Sequence, residues 1–230
     1  MAGRKKEIIQ MRFPNAHKGV KKLFIAELIN IAAAVVAIIG TVFSVLATRT
    51  NPPTESMAAL SGALVIVAAV ALIVAFVIQI VGLVQGSRDE PQIHYALICV
   101  IISIIVSVLA MILSVIPNAV VVATVSTYSG IITKALTIAS LQYILRGIAA
   151  LATKLGNEKM AKAGKRLALV ILILIVASIL LNWIPTFIQN PSAELKNVFT
   201  ILGIIARVAD IVTSILVIVY YGKATKMLAQ

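Results

Sequence analysis

The sequence has little charge, few aromatic residues, two histidines and one cysteine. Charged residues make up 12% of the chain and aromatic residues 5%, whereas hydrophobic residues reach 61%. The single cysteine, Cys99, excludes an intrachain disulfide framework and a cysteine metal cluster. His17 and His94 are far apart in the sequence, and neither has a second histidine at helical ligand spacing. We therefore predict no metal site and no cofactor.

The chain also lacks the short motifs that mark common enzyme sites. It contains no Walker phosphate loop, no nucleophile elbow, no zinc-protease helix motif and no dinucleotide fingerprint. No two carboxylates share one apolar segment. We therefore predict no catalytic residues and a protein that is not an enzyme.

Charge is absent from four long stretches, residues 28–48, 56–87, 95–133 and 167–193. Roughly 20 apolar residues are enough to cross a hydrocarbon layer about 30 Å thick. A span must satisfy its own backbone hydrogen bonds, and the alternating pattern of a barrel strand is missing, so the spans must be helical. The sequence predicts an all-α fold, a polytopic transmembrane helical bundle.

Two kinds of turn separate the apolar segments. Asn51-Pro52, Pro117-Asn118 and Asn190-Pro191 pair a proline with an asparagine, whereas residues 86–91 and 156–158 each offer a glycine to end one helix. In the glycine turns, Asp89 and Asn157 are predicted to cap the following helix. The alternation predicts six spans arranged as three helical hairpins. They cover residues 23–47, 57–85, 92–116, 120–153, 160–184 and 198–221.

The fourth span contains two basic residues, Lys134 and Arg146. We expect a hydropathy criterion to miss this span and to report five. The two residues are about 18 Å apart along a helix, so each is expected to extend to an opposite membrane interface.

Basic residues are distributed unequally between the two kinds of turn, which predicts the orientation. The proline turns hold Arg49 and Lys196, and fifteen basic residues lie in the glycine turns and terminal segments. The positive-inside rule then places both termini in the cytoplasm. We expect a basic cytoplasmic tail over residues 1–22, a transmembrane domain over 23–222 and a cytoplasmic tail over 223–230. The fifteen are Arg4, Lys5, Lys6, Arg12, Lys18, Lys21, Lys22, Arg88, Lys154, Lys159, Lys162, Lys165, Arg166, Lys223 and Lys226.

The net charge of +12 therefore indicates contact with the bilayer and anionic lipid head groups, not with nucleic acid. One group of basic residues surrounds the turn between the fourth and fifth spans, and it predicts either a lipid-binding surface or a docking surface for an acidic cytoplasmic partner. Binding to a membrane-protein partner or to a second copy of the chain, as a homo-oligomer, is a further alternative, since Gly82 and Gly86 have the spacing of a helix-packing motif. The basic group comprises Lys154, Lys159, Lys162, Lys165 and Arg166.

Charges within spans are the leading functional candidates because insertion of each costs about 2.5 to 3.5 kcal/mol. Arg207 and Asp210 lie near the middle of the last span, on one helix face. They predict either an ion-coupled site or a structural ion pair. Glu27 and Asn30 share a face of the first span, where an interhelical contact with Arg146 or Gln79 is expected.

Several aromatic residues lie near span ends and are predicted to anchor the chain at the interfaces. They are Tyr95, Trp183, Tyr220 and Tyr221.

Together these features predict a non-enzymatic packing, interaction or accessory component of the cytoplasmic membrane, with a small transporter or channel using Arg207 and Asp210 as the alternative. Pro191 prevents Asn190-Pro191-Ser192 from being a glycosylation sequon, which is compatible with a bacterial membrane.

Overall fold

A computed structural model describes residues 12–49, 55–116, 119–183 and 193–229, and these residues are almost entirely helical. No strand occurs among them, which confirms the all-α prediction. The proline turns at residues 51–52, 117–118 and 190–191 lie outside the described residues. The six helices are α1 (Pro14–Arg49), α2 (Glu55–Gly86), α3 (Pro91–Leu113), α4 (Ala119–Lys154), α5 (Glu158–Trp183) and α6 (Ala193–Leu228).

Five helices contain described stretches long and apolar enough to cross a membrane. The expected count of five is confirmed. The expectation that α4 would be missed was wrong, because α4 meets the criterion whereas the described part of α5 does not. Charged residues occupy the first turns of α5, and its charge-free stretch runs on to residue 193, beyond the described part of that helix. The five stretches are Pro14–Ala47, Ser56–Gly86, Pro91–Leu113, Thr124–Lys154 and Ile211–Leu228.

Helix α1 begins and α6 ends within the segments that the sequence assigned to tails. Residues 14–22 form the first turns of α1, where Ala16 and Val20 are buried. At the other end, Ala224 and Leu228 are buried on α6. Hydrophobic side chains within these basic segments can pack against the protein, so helical structure extends beyond the apolar core of each span.

The helices form two compact units, which we call unit 1 and unit 2. Unit 1 comprises Met1–Lys21, Leu83–Leu169 and Tyr220–Gln230, and unit 2 comprises Lys22–Gly82 and Val170–Val219. Unit 1 thus collects both glycine turns, the start of α1 and the end of α6.

The centre of unit 1 is an antiparallel pair formed by α3 and α4. Ser140 on α4 donates a 3.2 Å hydrogen bond to the carbonyl of Ala96 on α3, and the rings of Tyr95 and Tyr143 lie 5.6 Å apart. Neighbouring residues of α4 form a fully buried apolar ridge, which excludes water from the pair. The ridge consists of Ile144, Leu145, Ile148, Ala149, Leu151 and Ala152.

Unit 2 contains a close contact between α1 and α2. The hydroxyl of Ser61 donates a 2.8 Å hydrogen bond to the carbonyl of Gly40. A methyl group at Gly40 would lie 3.3 Å from Cβ of Leu64, so glycine permits this approach. Small residues and buried hydroxyls at helix contacts are typical of packing inside a membrane.

Large apolar side chains are exposed along the helices, especially on α2. The side chains of Ile66 and Ile73 are 65% and 64% exposed. In water such a surface would be strongly unfavourable, whereas hydrocarbon solvates it without cost. The exposed apolar surface and the five apolar helices together indicate a multi-pass membrane protein.

Candidate functional site

A polar cluster, here called the junction, joins the ends of three helices in unit 1. It is centred on the turn between α2 and α3, where Asp89 lies next to Glu90. The Asp89 carboxylate accepts hydrogen bonds from the backbone N–H of Ala16, at 2.8 Å, and from Nδ2 of Asn15, at 3.0 Å. It therefore caps the amino terminus of α1, a helix whose preceding residue, Phe13, has no side-chain acceptor.

The sequence predicted that Asp89 would cap α3, and this was wrong because Glu90 occupies that position. One carboxylate oxygen of Glu90 accepts a hydrogen bond from the backbone N–H of Gln92, at 3.4 Å. Pro91 follows as the first helical residue, where a missing N–H costs nothing.

The second carboxylate oxygen of Glu90 forms an ion pair with Lys154, the last residue of α4. Their atoms are 2.7 Å apart, and the Glu90 side chain is only 3% exposed whereas Lys154 is 46% exposed. A negative group at the start of α3 and a positive group at the end of α4 each interact favourably with the dipole of the helix end they occupy. Glu90 thus joins these two helix ends through a buried, charge-assisted hydrogen bond.

Phe13 and Gly147 complete the junction. The ammonium group of Lys154 lies 6.0 Å from the centroid of the Phe13 ring, within the range of a cation–π contact. At Gly147, an added methyl group would lie 2.9 Å from Cγ1 of Ile93 and 3.4 Å from Cγ of Glu90. Glycine is therefore needed for α3 to approach α4 closely enough to form the ion pair.

The turn between α4 and α5 has the predicted chemistry. Gly156 has a φ of 73°, and the N–H groups of Gly156 and Asn157 donate to the carbonyls of Thr153 and Ala152 in a Schellman arrangement. Oδ1 of Asn157 accepts a 3.1 Å hydrogen bond from the N–H of Met160. The predictions that glycine ends α4 and that Asn157 caps α5 are confirmed.

The basic group around this turn does not act as one surface. Lys154 is engaged by Glu90, and Lys162 lies 3.3 Å from the exposed carboxylate of Glu158. Lys159, Lys165 and Arg166 are exposed. These three basic side chains remain available to an anionic surface.

The described acidic side chains of unit 1 are all engaged within the protein. In its described residues, unit 1 contains three acidic side chains, and each of them makes one of the contacts above. Thirteen basic side chains accompany them, which leaves a surplus of ten positive charges. The three acids are Asp89, Glu90 and Glu158; the bases are Arg12, Lys18, Lys21, Arg88, Lys134, Arg146, Lys154, Lys159, Lys162, Lys165, Arg166, Lys223 and Lys226.

The charged residues predicted inside the last and first spans lie in α6 and α1. Arg207 and Asp210 are three residues apart on α6, but their side chains are outside the described part of the structure. Glu27 is half-buried in unit 2, near the side chains of Asn30 and Ser214. Ser214 lies on α6 and is a neighbour of Glu27 that the sequence did not predict.

Arg146 and Lys134 are both exposed on α4. Arg146 lies near the end of the α3–α4 pair, one residue before Gly147, which contacts Gln92 and Ile93. Its extension to a membrane interface stays a prediction. Lys134 lies 12 residues away, alongside the interior of α3.

Two of the predicted aromatic anchors are buried inside the protein. Tyr220 and Tyr221 are 4% and 3% exposed, so their rings pack against the protein and are not available as exposed anchors. Gly164 accommodates Tyr220, since an added methyl group would be 2.8 Å from Cζ of its ring. Tyr95 is 50% exposed, and the side chain of Trp183 is outside the described residues.

The described residues contain no cluster of three or more histidine, cysteine or acidic side chains that would suit a metal ion. Compared with known protein families, curated proteins and solved structures, the chain has no significant match.

Proposed function

We propose that this chain is a non-enzymatic packing and interaction component of the cytoplasmic membrane, crossing it six times as three hairpins with both termini in a bacterial cytoplasm. In this arrangement the junction and both glycine turns lie at the cytoplasmic surface. Unit 1 contacts anionic lipid head groups there, and the apolar faces of the helices contact lipid chains.

The observation that carries this proposal is the one-sided use of charge in unit 1. The acidic side chains make helix caps or ion pairs within the protein, namely Asp89, Glu90 and Glu158. Three basic side chains are exposed, namely Lys159, Lys165 and Arg166. Each basic side chain near an anionic membrane surface contributes about 1 kcal/mol of attraction. A compact unit with these exposed cations suits a component held against lipid head groups.

Lipid retention tests this proposal. We expect purified wild-type protein to retain phosphatidylglycerol over phosphatidylcholine in mixed vesicles, because the exposed cations attract the anionic head group. Replacing Lys159, Lys165 and Arg166 together by glutamine should reduce that preference. Loss of two positive charges beside the proline turns, Arg49→Gln on α1 with Lys196→Gln on α6, should leave it unchanged. Equal preference in all three proteins would contradict the proposal.

The alternative, transport through Arg207 and Asp210, is tested by neutralising each residue singly and both together. A structural pair predicts that each single change lowers the melting temperature in detergent and that the double change restores it. Proton or solute flux in liposomes that is lost in folded single variants would instead establish transport.

A further inference from the structure

Lys134 lies level with the middle of α3, farther from an interface than its sequence position indicated. The hydrogen bond between Ser140 and Ala96 places these two residues at one level of the antiparallel pair. Lys134 precedes Ser140 by six residues, about 9 Å along α4, which brings it level with Ile102. Ile102 is 11 residues from each end of α3 (Pro91–Leu113), or about 16 Å. A lysine side chain is too short to reach across that distance.

Neither helix of this pair supplies a negative charge to Lys134. The sequences of α3 and α4 contain no aspartate or glutamate. Lys134 is exposed, and among the described residues it makes no ion pair. An ammonium group at this depth of a bilayer, with no carboxylate beside it among the described side chains, is strongly unfavourable.

The helix surface around Lys134 is open to another helix. Gly130, one turn before Lys134, is exposed, and no atom lies within 4 Å of where its Cβ would be. Thr137, one turn after, is exposed, and its hydroxyl donates to the carbonyl of Thr133. The backbone of a neighbouring helix can therefore come close to α4 at Gly130, next to the ammonium group.

We propose that the α4 face formed by Gly130, Lys134 and Thr137 binds a transmembrane helix that carries an aspartate or glutamate at mid-membrane depth. Charge complementarity selects this partner over lipid, because a carboxylate at the same depth neutralises Lys134 and is neutralised by it. The inference deepens the proposed function, since it rests on α4 crossing the membrane.

The test uses full-length protein in phosphatidylcholine vesicles and a leucine-rich transmembrane peptide of about 24 residues, long enough to span the bilayer. Energy transfer between labelled protein and labelled peptide measures association of peptides with a central aspartate or a central leucine. We expect the aspartate peptide to bind about tenfold more tightly than the leucine peptide. Lys134→Leu should abolish the difference, and Lys134→Asp should reverse it in favour of a peptide with a central lysine.

Arg146→Leu is the matched control, since Arg146 lies on the same helix but at the end of the pair. This variant should retain the preference for the aspartate peptide. Circular dichroism establishes that each variant folds. Equal binding of both peptides by wild type, or a preference that survives Lys134→Leu, would overturn the proposal.

A separate measurement distinguishes failure of this surface from failure of the membrane span. Gly130→Cys, in a Cys99→Ser background, should not react with a water-soluble maleimide in vesicles. Reaction would show that α4 does not cross the membrane here and would overturn the six-span proposal. No reaction together with equal peptide binding would overturn only the docking surface.

Discussion

At the scale of single residues, two adjacent carboxylates serve different helices. Asp89 satisfies N–H groups at the start of α1, and Glu90 caps α3 while holding Lys154 of α4. A sequence pattern for capping considers only the next helix along the chain. The tertiary fold also brings the start of α1 to this turn. Which carboxylate caps which helix therefore depends on the three-dimensional positions of the helix ends.

Lys154→Met should destabilise the fold because it leaves the buried Glu90 carboxylate without its cation. We expect the free energy of unfolding to fall by about 1 to 3 kcal/mol, less than for a fully buried pair because Lys154 is partly solvated. Denaturant unfolding in detergent micelles measures the change. Lys159→Met is the control, since Lys159 is exposed, and it should have little effect. Adding Glu90→Gln to Lys154→Met should recover part of the loss; an additive loss would argue against the pairing.

Asp89→Ala should free the first turn of α1. Loss of a capping carboxylate typically costs about 1 kcal/mol, and the backbone amide proton of Ala16 should exchange faster with solvent. Hydrogen exchange detected by mass spectrometry tests this over α1. Protection of α3 should persist, because Glu90 caps that helix. Faster exchange in α3 with unchanged exchange in α1 would show instead that Asp89 caps α3, as the sequence predicted.

At the scale of helices, two glycines on α4 have opposite surroundings. At Gly147 a methyl group would meet Ile93, Gln92 and Glu90, whereas at Gly130 it would meet nothing within 4 Å. Both are mid-helix glycines in the sequence, and only the neighbouring helix distinguishes them.

Gly147→Ala should lower stability by about 1 to 3 kcal/mol, because overpacking forces α3 away from α4. Gly130→Ala is the matched control and should leave stability unchanged or raise it by up to about 1 kcal/mol, since alanine favours the helix. Thermal unfolding in detergent measures both. Equal effects of the two substitutions would show that α3 does not pack closely at Gly147.

At the scale of the whole molecule, the proposed topology makes a prediction about three loops. Cysteines introduced at Thr54, Asn118 and Ser192 should all react with an impermeant maleimide applied to the outer face of intact cells, because the proline turns are proposed to lie outside. A cysteine at Ser87, in the α2–α3 turn, should react only after the membrane is opened. Failure of any of the three outer positions to react would contradict the six-span topology.

The sequence alone determined the helical class and the approximate position of every helix. Long charge-free stretches leave the backbone no partner in a bilayer other than itself, so composition is sufficient for that inference. It also identified the α4–α5 turn, because Gly156 and Asn157 act on residues near them in the chain. Local chemistry of this kind does not depend on the rest of the fold.

The tertiary structure decided which polar residues meet and at what depth. The ion pair of Glu90 with Lys154, the proximity of Glu27 to Ser214 and the position of Lys134 alongside the middle of α3 were not predictable locally. All three depend on contacts between residues distant in sequence. Nearly every helix surface here is apolar, so hydrophobic periodicity carries little information about which face meets which neighbour. Small residues, helix ends and scarce charges specify the packing instead, and their partners are defined only once the helices are assembled.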